Sequence, residues 1–273
     1  MVFGLVISRF LICCLFRKLA YIASRNLFDI TSSPKEKLST MPAINEENTN
    51  CQTQIIIAAL NEEPGIGRTI IELLNHLNTD RVLVVDGYSH DRTVEVAKNC
   101  GASILFQDGV GKGDAISKAL ENIGPDVEYV VLTDADYTYP AEYVPSMIEI
   151  LDKNPRVGMV CGNRFSEHVD STTLNGSFCF GNKLLSIAHS LLNGVSMHDP
   201  LTGLRVIRAE ILRNTKIKSK GFDIEVELNH QVEREGLDII EVPIRYRKRL
   251  GEKKLRLSHG ATIFKRILLE MSR

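Results

Sequence analysis

The stretch that decides the fold is Tyr129–Asp136, which reads YVVLTDAD. It leads an apolar, β-branched strand directly into two carboxylates. Side chains at positions i and i+2 of an extended segment point the same way, so we expect Asp134 and Asp136 to converge on one cation. Mg²⁺ prefers such oxygen ligands and keeps waters and substrate phosphates as the others. The alternative is ordinary turn chemistry, in which Asp simply favours a strand end.

A second stretch supports the first. Arg81–Asp86 reads RVLVVD and is another apolar strand that ends on a carboxylate. Helical patterns alternate with strands from a first strand near Gln54–Leu60 onward. Buried parallel strands joined by helices form an open α/β sheet, whose ligand crevice lies outside the carboxyl ends of the strands. The sequence therefore predicts an α/β fold with its site at this edge.

The composition is that of a globular protein. The chain has 273 residues, of which 44% are hydrophobic and 25% charged, and this excludes a disordered or fibrous chain. The six cysteines show neither zinc-ligand nor disulfide-framework spacing, which fits a reducing compartment.

Residues 1–50 are predicted to be a hydrophobic segment followed by a polar linker. Val2–Ala23 is apolar, but Arg9 interrupts it, and it is short for a spanning helix. A membrane anchor, a cryptic signal sequence and a dispensable extension all remain open, although no cleavage pattern supports the signal. A catalytic domain over residues 51–245 and a basic segment over 246–273 are predicted to follow. Within the domain, residues 166–180 read as a loop and 181–192 as a helix.

Two further features indicate anionic ligands. Glycines surround Lys112 at the start of a helix in GVGKGD, and free amides there favour a phosphate, although the spacing is not that of a Walker A loop. The interval from Arg245 to Arg266 holds nine Lys or Arg against one Glu, which indicates lipid phosphate or nucleic acid. No aromatic stacking platform accompanies these charges, which disfavours nucleic acid.

The last helix is predicted to lie on a membrane surface or in a groove, because it is amphipathic. Its predicted apolar stripe consists of Ile263, Phe264, Ile267, Leu268 and Met271. The cations expected to face an anionic membrane are Lys253, Lys254, Lys265 and Arg266.

Seven short motifs in a fixed order carry a family resemblance. They are Ala58–Glu62, Val84–Thr93, Gly111–Gly113, Asp134–Asp136, Gly162–Phe165, Asp199–Gly203 and Tyr246–Leu255. With them the chain resembles the family 2 glycosyltransferases of the polyprenyl-phosphate hexose synthase type, typified by dolichyl-phosphate mannose synthase, over roughly residues 54–266.

The resemblance implies a GT-A fold and an inverting transfer of a hexose or N-acetylhexosamine from a nucleotide sugar to a polyprenyl (dolichyl) phosphate. The implied nucleotide-sugar site comprises Ala58, Leu60, Glu62, Asp86, Lys112 and Asp134. The implied catalytic residues are Asp136, Arg164, Asp199 and Arg249. Asp134 and Asp136 would hold Mg²⁺ or Mn²⁺ against the diphosphate, and Arg164, Arg247 and Arg249 would contact the acceptor phosphate.

The chain departs from the common family pattern at its nucleoside motifs. Many members begin Pro-Thr-Tyr-Asn-Glu and carry three consecutive acids after the second strand, whereas this chain has Ala58-Ala59-Leu60 and Asp86-Gly87-Tyr88. A UDP-sugar is therefore favoured over GDP-mannose. No pair of transmembrane helices follows the last motif, so the chain is expected to act peripherally at the cytoplasmic face of a membrane.

Other functions compete with lipid-phosphate glycosylation. A lipid phosphate has a second pKa of about 6 and needs no general base, whereas a sugar hydroxyl acceptor would need one, and Asp199 is the candidate. A catalytically idle membrane-associated binding protein would not need convergent charges at strand ends. A sugar nucleotidylyltransferase would be expected to carry a glycine-rich loop after its first strand, where this chain has Asn61-Glu62-Glu63.

Overall fold

A seven-stranded sheet organises the part of the chain that this computed structural model describes, namely residues 52–165, 197–254 and 257–271. The strands are β1 Thr53–Ala59, β2 Val82–Asp86, β3 Ser103–Phe106, β4 Tyr129–Asp134, β5 Val157–Asn163, β6 Arg205–Arg208 and β7 Asp238–Pro243. Their order across the sheet is β3-β2-β1-β4-β6-β5-β7. Strand β6 runs antiparallel to β4 and β5, and every other pair is parallel.

Helices follow the strands as the sequence periodicity predicts. They are α1 Glu63–His76, α2 Thr93–Asn99, α3 Lys112–Leu120, α4 Val144–Lys153, α5 Ala209–Arg213, α6 Ile224–Arg234 and α7 Leu257–Met271. A short 3₁₀ turn at Ala141–Tyr143 precedes α4. These elements belong to one compact unit with bounds Thr49–Arg273. The predicted N-terminal segment, the loop at 166–180 and the helix at 181–192 lie outside the described residues.

Strand β1 shows how the sheet is buried on both faces. Ile55, Ile56 and Ile57 are all fully buried. Because side chains alternate along a strand, Ile55 and Ile57 pack in one core cluster with Ile66 and Ile70 of α1, whereas Ile56 packs on the opposite face. Two-sided burial explains the continuous apolar runs from which the parallel sheet was predicted.

The register of the sheet brings the predicted site residues to one edge. Strand β1 lies between β2 and β4, and Ala58 pairs with both Val85 and Asp134. The carboxylates at the ends of β2 and β4 therefore flank the end of β1.

The predicted apolar stripe on α7 is divided between the protein core and the surface. Ile263 and Ile267 are buried against Val226 of α6, so these two residues of the stripe face the protein. Phe264 and Leu268 remain exposed. The side chain of Met271 lies outside the described residues.

The charge on α7 is also distributed differently from the prediction. Arg266 is only 8% exposed, because its guanidinium pairs with Asp223 at 2.9 Å and with Glu270 at 3.3 Å. The prediction that Arg266 faces a membrane is therefore wrong, since a buried cation keeps its partners. In the described ranges, no helix has the length and apolar character needed to cross a bilayer.

Candidate active site

Asp134 and Asp136 lie at the carboxyl end of β4. Asp134 is the last residue of the strand, and Asp136 follows in a turn that contains Tyr137 with a φ of 66°. Asp136 is buried, whereas the Asp134 side chain is 31% exposed. Burial raises the pKa of Asp136, and the negative charge of Asp134 raises it further. A bound cation would relieve this repulsion between the two carboxylates.

Lys112 holds one oxygen of Asp134. Its ammonium lies 2.6 Å from Asp134 Oδ1 and 2.7 Å from Oε1 of Glu225, in the first turn of α6. Burial alone would lower the pKa of Lys112, but the two carboxylates raise it above its usual value. Burial would likewise raise the pKa of Asp134, but Lys112 holds it below its usual value. The pair is therefore charged at neutral pH.

Two of the amides at the start of α3, where a phosphate site is predicted, are already paired within the protein. The N–H groups of Gly113 and Asp114 donate to the carbonyl of Lys220 at 2.9 Å and 3.2 Å. A Cβ on Gly113 would lie 2.3 Å from the carbonyl oxygen of Ser219, so glycine is needed here for close packing of two backbone segments. These two amides are therefore not free to bind a phosphate, whereas the side chain of Lys112 does reach the site.

Arg249 reaches Asp136 from the segment after β7. Its Nη1 lies 2.8 Å from Asp136 Oδ2, and the same guanidinium pairs with Glu62. Lys254 also contacts Glu62, at 2.8 Å, and donates to the carbonyl of Asn61 at 2.8 Å. Burial raises the pKa of Glu62, although both cations oppose this effect. Lys254 is thus part of the site, and its contact with a membrane stays a prediction.

Arg164 forms a buried ion pair with Asp199. Its Nε and Nη2 lie 2.6 Å and 2.7 Å from the two Asp199 oxygens, and its backbone N–H donates to Asp199 at 3.0 Å. The guanidinium also lies 5.4 Å from the centre of the Tyr246 ring. Asp199 is fully buried. A general base must lie within hydrogen-bond reach of the group that it deprotonates. Both carboxylate oxygens of Asp199 instead accept from Arg164, so Asp199 fixes the orientation of Arg164.

Arg205 holds the backbone between Asp199 and Gly203, a role that the sequence analysis missed. It is 1% exposed and donates to the carbonyls of Pro200 at 2.7 Å and Thr202 at 3.0 Å, and to Oδ1 of Asn229. The sequence signal for this role was an arginine at the first position of the buried strand β6.

Gly203 brings this loop against Asp134. A Cβ at position 203 would lie 2.5 Å from Asp134 Oδ2, and the Gly203 N–H donates to the hydroxyl of Tyr139 at 2.7 Å. Glycine therefore leaves room for the oxygen of Asp134 that Lys112 does not hold.

The predicted nucleoside residues lie at the ends of β1 and β2. Ala58 is within β1, and Leu60 follows it with 41% of its surface exposed. Asp86 is fully buried and accepts bonds from the backbone N–H of Ser89 at 2.7 Å and from its hydroxyl at 2.6 Å. Asp86 therefore closes its own turn, and its contact with a nucleoside stays a prediction.

Arg247 is directed away from the paired aspartates. It forms a two-pronged ion pair with Glu72 of α1, at 2.6 Å and 2.7 Å, and its guanidinium lies 4.5 Å from the centre of the Tyr137 ring. The Arg247 N–H also donates to the carbonyl of Thr138 at 2.9 Å. These contacts fasten the segment after β7 to α1, and a contact of Arg247 with an acceptor phosphate stays a prediction.

The two aspartates fit a divalent cation that shares its coordination with a substrate. No group of three or more His, Cys, Asp or Glu that could hold a metal occurs within the described ranges. The chain thus offers the carboxylate oxygens of Asp134 and Asp136, and Mg²⁺ is commonly bound by one or two carboxylates plus substrate phosphates. This donor set suits Mg²⁺ or Mn²⁺.

Comparison with known proteins places this geometry in context. The model of the family described as Glycosyl transferase family 2 matches residues 54–215. A dolichyl-phosphate hexose transferase of Haloferax volcanii is 34% identical over 218 residues, which cover 78% of this chain and 91% of that protein. An undecaprenyl-phosphate mannosyltransferase of Micrococcus luteus is 29% identical over 73% of this chain and 86% of its own length. The chain spans about half the length of two further Haloferax volcanii relatives.

A solved structure confirms the predicted fold. Glucosyl-3-phosphoglycerate synthase from Mycobacterium tuberculosis, in complex with Mn²⁺, UDP-glucose and glycerol 3-phosphate, superposes with a TM-score of 0.66 at 19% identity. The match covers 81% of this chain and 80% of that one. The mostly parallel sheet with its helices is therefore a GT-A fold.

Proposed function

This chain belongs to glycosyl transferase family 2, and we propose that, as a glycosyltransferase, it moves a hexose from a UDP-sugar to a polyprenyl phosphate. The acceptor is inferred from the names of the dolichyl- and undecaprenyl-phosphate relatives. A UDP donor is favoured by the departures from the mannose synthase pattern at the ends of β1 and β2. The solved neighbour that binds UDP-glucose supports the same choice.

The observation that carries the proposal is the contact of Arg249 with Asp136, 2.8 Å across. A carboxylate suited to a metal and a cation suited to a phosphate lie side by side at the carboxyl ends of the strands. Transfer to a lipid phosphate requires two anions, the donor diphosphate and the acceptor, to approach each other. Fixed cations beside a metal site meet that requirement.

The residues then have distinct tasks. Asp134 and Asp136 would hold a divalent ion, which would supply positive charge to the leaving diphosphate. Arg249 orients the acceptor phosphate, an oxygen of which attacks the anomeric carbon as the bond to the diphosphate breaks. The configuration inverts, and the nucleoside diphosphate leaves.

No residue of the chain has to remove a proton in this scheme. A phosphate monoester with a second pKa of about 6 is already an anion at neutral pH. The burial of Asp199 and its pairing with Arg164 speak against the hydroxyl acceptor, for which Asp199 would be the base.

The membrane surface enters the proposal through α7. Phe264, Leu268 and Leu269 are 44%, 39% and 44% exposed, and Lys265 beside them is exposed too. An apolar face next to a cation suits the interface of an anionic bilayer. We place the enzyme on the cytoplasmic face of a membrane, where nucleotide sugars meet lipid phosphates.

The test of the reaction is a donor screen with the full chain. The purified protein is mixed with a polyprenyl phosphate, Mg²⁺ or Mn²⁺, and a panel of UDP- and GDP-sugars, and the lipid-linked sugar is measured. We expect transfer from one UDP-sugar and its loss in the Asp136→Asn variant. Preference for a GDP-sugar would overturn the donor assignment, and transfer only to sugar hydroxyls would overturn the acceptor assignment.

The test of the membrane surface is vesicle flotation. Replacing Phe264, Leu268 and Leu269 by Ser should release the protein from anionic vesicles. The control is Ile71→Ser, which removes an exposed apolar side chain from α1. Equal flotation of the triple variant and the unmodified protein would contradict a membrane role for α7.

A further inference from the structure

Two exposed aromatic side chains lie against each other at the edge of the sheet that carries the site. Tyr88 follows β2, and Phe106 is the last residue of β3. Their ring centroids are 5.4 Å apart, and the ring planes differ by 24°. Tyr88 is 58% exposed and Phe106 is 45% exposed. Covering a large aromatic surface lowers the free energy of the system, so binding of a planar ligand would be favourable here.

The backbone holds Tyr88 in an unusual conformation. Its φ is 64°, in the left-handed region that bulky residues rarely adopt. Such conformations cost free energy and cluster at ligand sites. The turn is fixed on both sides. Asp86 accepts two hydrogen bonds from Ser89, and the hydroxyl oxygen of Ser89 accepts a hydrogen bond from the backbone N–H of Asn61 at 2.8 Å. The turn therefore presents the Tyr88 ring from a rigid base.

Two neighbouring loops also expose apolar side chains. Leu60 follows β1 with 41% exposure, and Val110 lies just before α3 with 81% exposure. Among the described residues, the other exposed large apolar side chains are Ile71 and three residues of α7. Leu60, Tyr88, Phe106 and Val110, here called the apolar rim, thus all end or follow strands β1, β2 or β3.

We propose that Tyr88, backed by Phe106, provides the face on which the base of the nucleotide donor stacks. The proposal rests on the proposed function and adds residues that select for a nucleoside. Strands β2 and β4 flank β1 and are therefore about 10 Å apart at ~4.8 Å per strand. A diphosphate held near Asp134 can extend its nucleoside toward β2 and β3, where the stacked rings lie.

The first experiment separates base binding from diphosphate binding. Tyr88→Asn removes the ring, and Asn tolerates a positive φ, so the turn is retained. Loss of one base stack should weaken UDP binding about tenfold, and pyrophosphate binding should change less than twofold. Tyr88→Phe should bind UDP like the unmodified protein, because the ring and not the hydroxyl makes the contact. Ile71→Ala on α1 is the control for loss of an exposed apolar side chain.

The second experiment uses a spectroscopic reporter. The chain contains no tryptophan, so Tyr88→Trp introduces one, and UDP should quench its fluorescence while pyrophosphate should not. Ile71→Trp on α1 should show no quenching with either ligand.

The outcomes distinguish this inference from the proposed function. If the unmodified protein binds no nucleoside diphosphate, the proposed function fails. If it binds UDP and Tyr88→Asn binds UDP equally well, the stacking face is overturned while the proposed function stands. If Tyr88→Asn instead changes a dimer into a monomer in sedimentation with UDP affinity intact, the rim is a contact between copies and the inference is again overturned.

Discussion

Arg249 pairs with Asp136 across 2.8 Å, although the two residues are 113 positions apart in the sequence. A residue assigned to the acceptor thus contacts a carboxylate assigned to the metal. Asp136 Oδ1 is held by Thr138, whose hydroxyl donates at 2.6 Å, so Arg249 holds the remaining oxygen. Because the Thr138 N–H also donates to Oδ1, at 3.1 Å, Asp136 would hold a metal through Oδ2, the oxygen that Arg249 contacts.

Replacing Arg249 by Ala should mainly weaken the use of the acceptor. Charge-assisted hydrogen bonds of this kind contribute about 1.5–3 kcal/mol, so we expect kcat/KM for the lipid phosphate to fall at least about tenfold. Donor binding should stay the same or become tighter, because the variant no longer has the Arg249 guanidinium that competes with the metal for Asp136 Oδ2. The control is Lys153→Ala, which removes an exposed cation from α4. Acceptor kinetics of Arg249→Ala that match the unmodified protein would refute the assigned role.

Replacing Asp136 by Asn should abolish most metal-dependent transfer. The amide keeps the size and can still accept from Thr138, but it removes a ligand charge where the leaving group becomes negative. Such losses are on the order of 100-fold to 1000-fold. The measurement is transfer rate against Mg²⁺ and Mn²⁺ concentration, with a thermal melt of both proteins. Full activity of the unmodified protein in excess chelator would contradict the metal site. Asp134 and Asp136 would then only stabilise the turn at the end of β4.

Glu72 should make stability depend on pH through its pair with Arg247. Burial alone would raise the pKa of Glu72, but hydrogen bonds and the charge of Arg247 hold it below its usual value of 4.5. A depressed pKa means that the stabilisation is present above the unfolded pKa and is lost as the pH falls through the folded one. In urea unfolding, Glu72→Gln should be less stable than the unmodified protein at pH 7, and the difference should shrink below about pH 4.5.

The control for this pH dependence is Glu149→Gln, which removes a largely exposed carboxylate on α4 that pairs with Lys153 along the helix. Exposed pairs of this type contribute little, so its stability curve should follow that of the unmodified protein. A constant difference between Glu72→Gln and the unmodified protein at every pH would contradict the linkage.

The sequence predicts the sheet and the position of the paired aspartates because both depend on local patterns. Buried parallel strands are apolar throughout, and Asp134 and Asp136 lie within two residues of each other at such a strand's end. The motif order also indicates Arg249 and Arg164 as site residues. These local signals are enough to predict where in the fold the site lies.

The ion pairs could not be predicted, because each depends on residues far apart in the chain. Nine cations in the basic interval look equivalent in sequence, yet Arg247 pairs with Glu72, Lys254 with Glu62 and Arg266 with Asp223. A charge count cannot separate a solvated cation from one that fastens two segments. For the same reason the sequence suggested free amides beside Lys112, which the distant carbonyl of Lys220 takes.

Gly203 gives the most specific steric prediction. A Cβ at position 203 would lie 2.5 Å from Asp134 Oδ2 and 2.8 Å from Asp134 Cγ, so Asp134 must move if Ala is introduced. Asp134 is held on its other side by Lys112 at 2.6 Å, and a shift of about 1 Å in a positioned group can cost 100-fold in rate. We therefore expect Gly203→Ala to lower transfer about 100-fold.

Gly260→Ala on α7 is the matched control, because its added Cβ would have no heavy atom within 4 Å apart from its chain neighbours and the adjacent helix backbone. It should keep full activity and gain up to about 1 kcal/mol of stability. The measurement is transfer rate with a melt of both variants, and a Gly203→Ala protein with normal turnover would show that the position of Asp134 is not critical for catalysis.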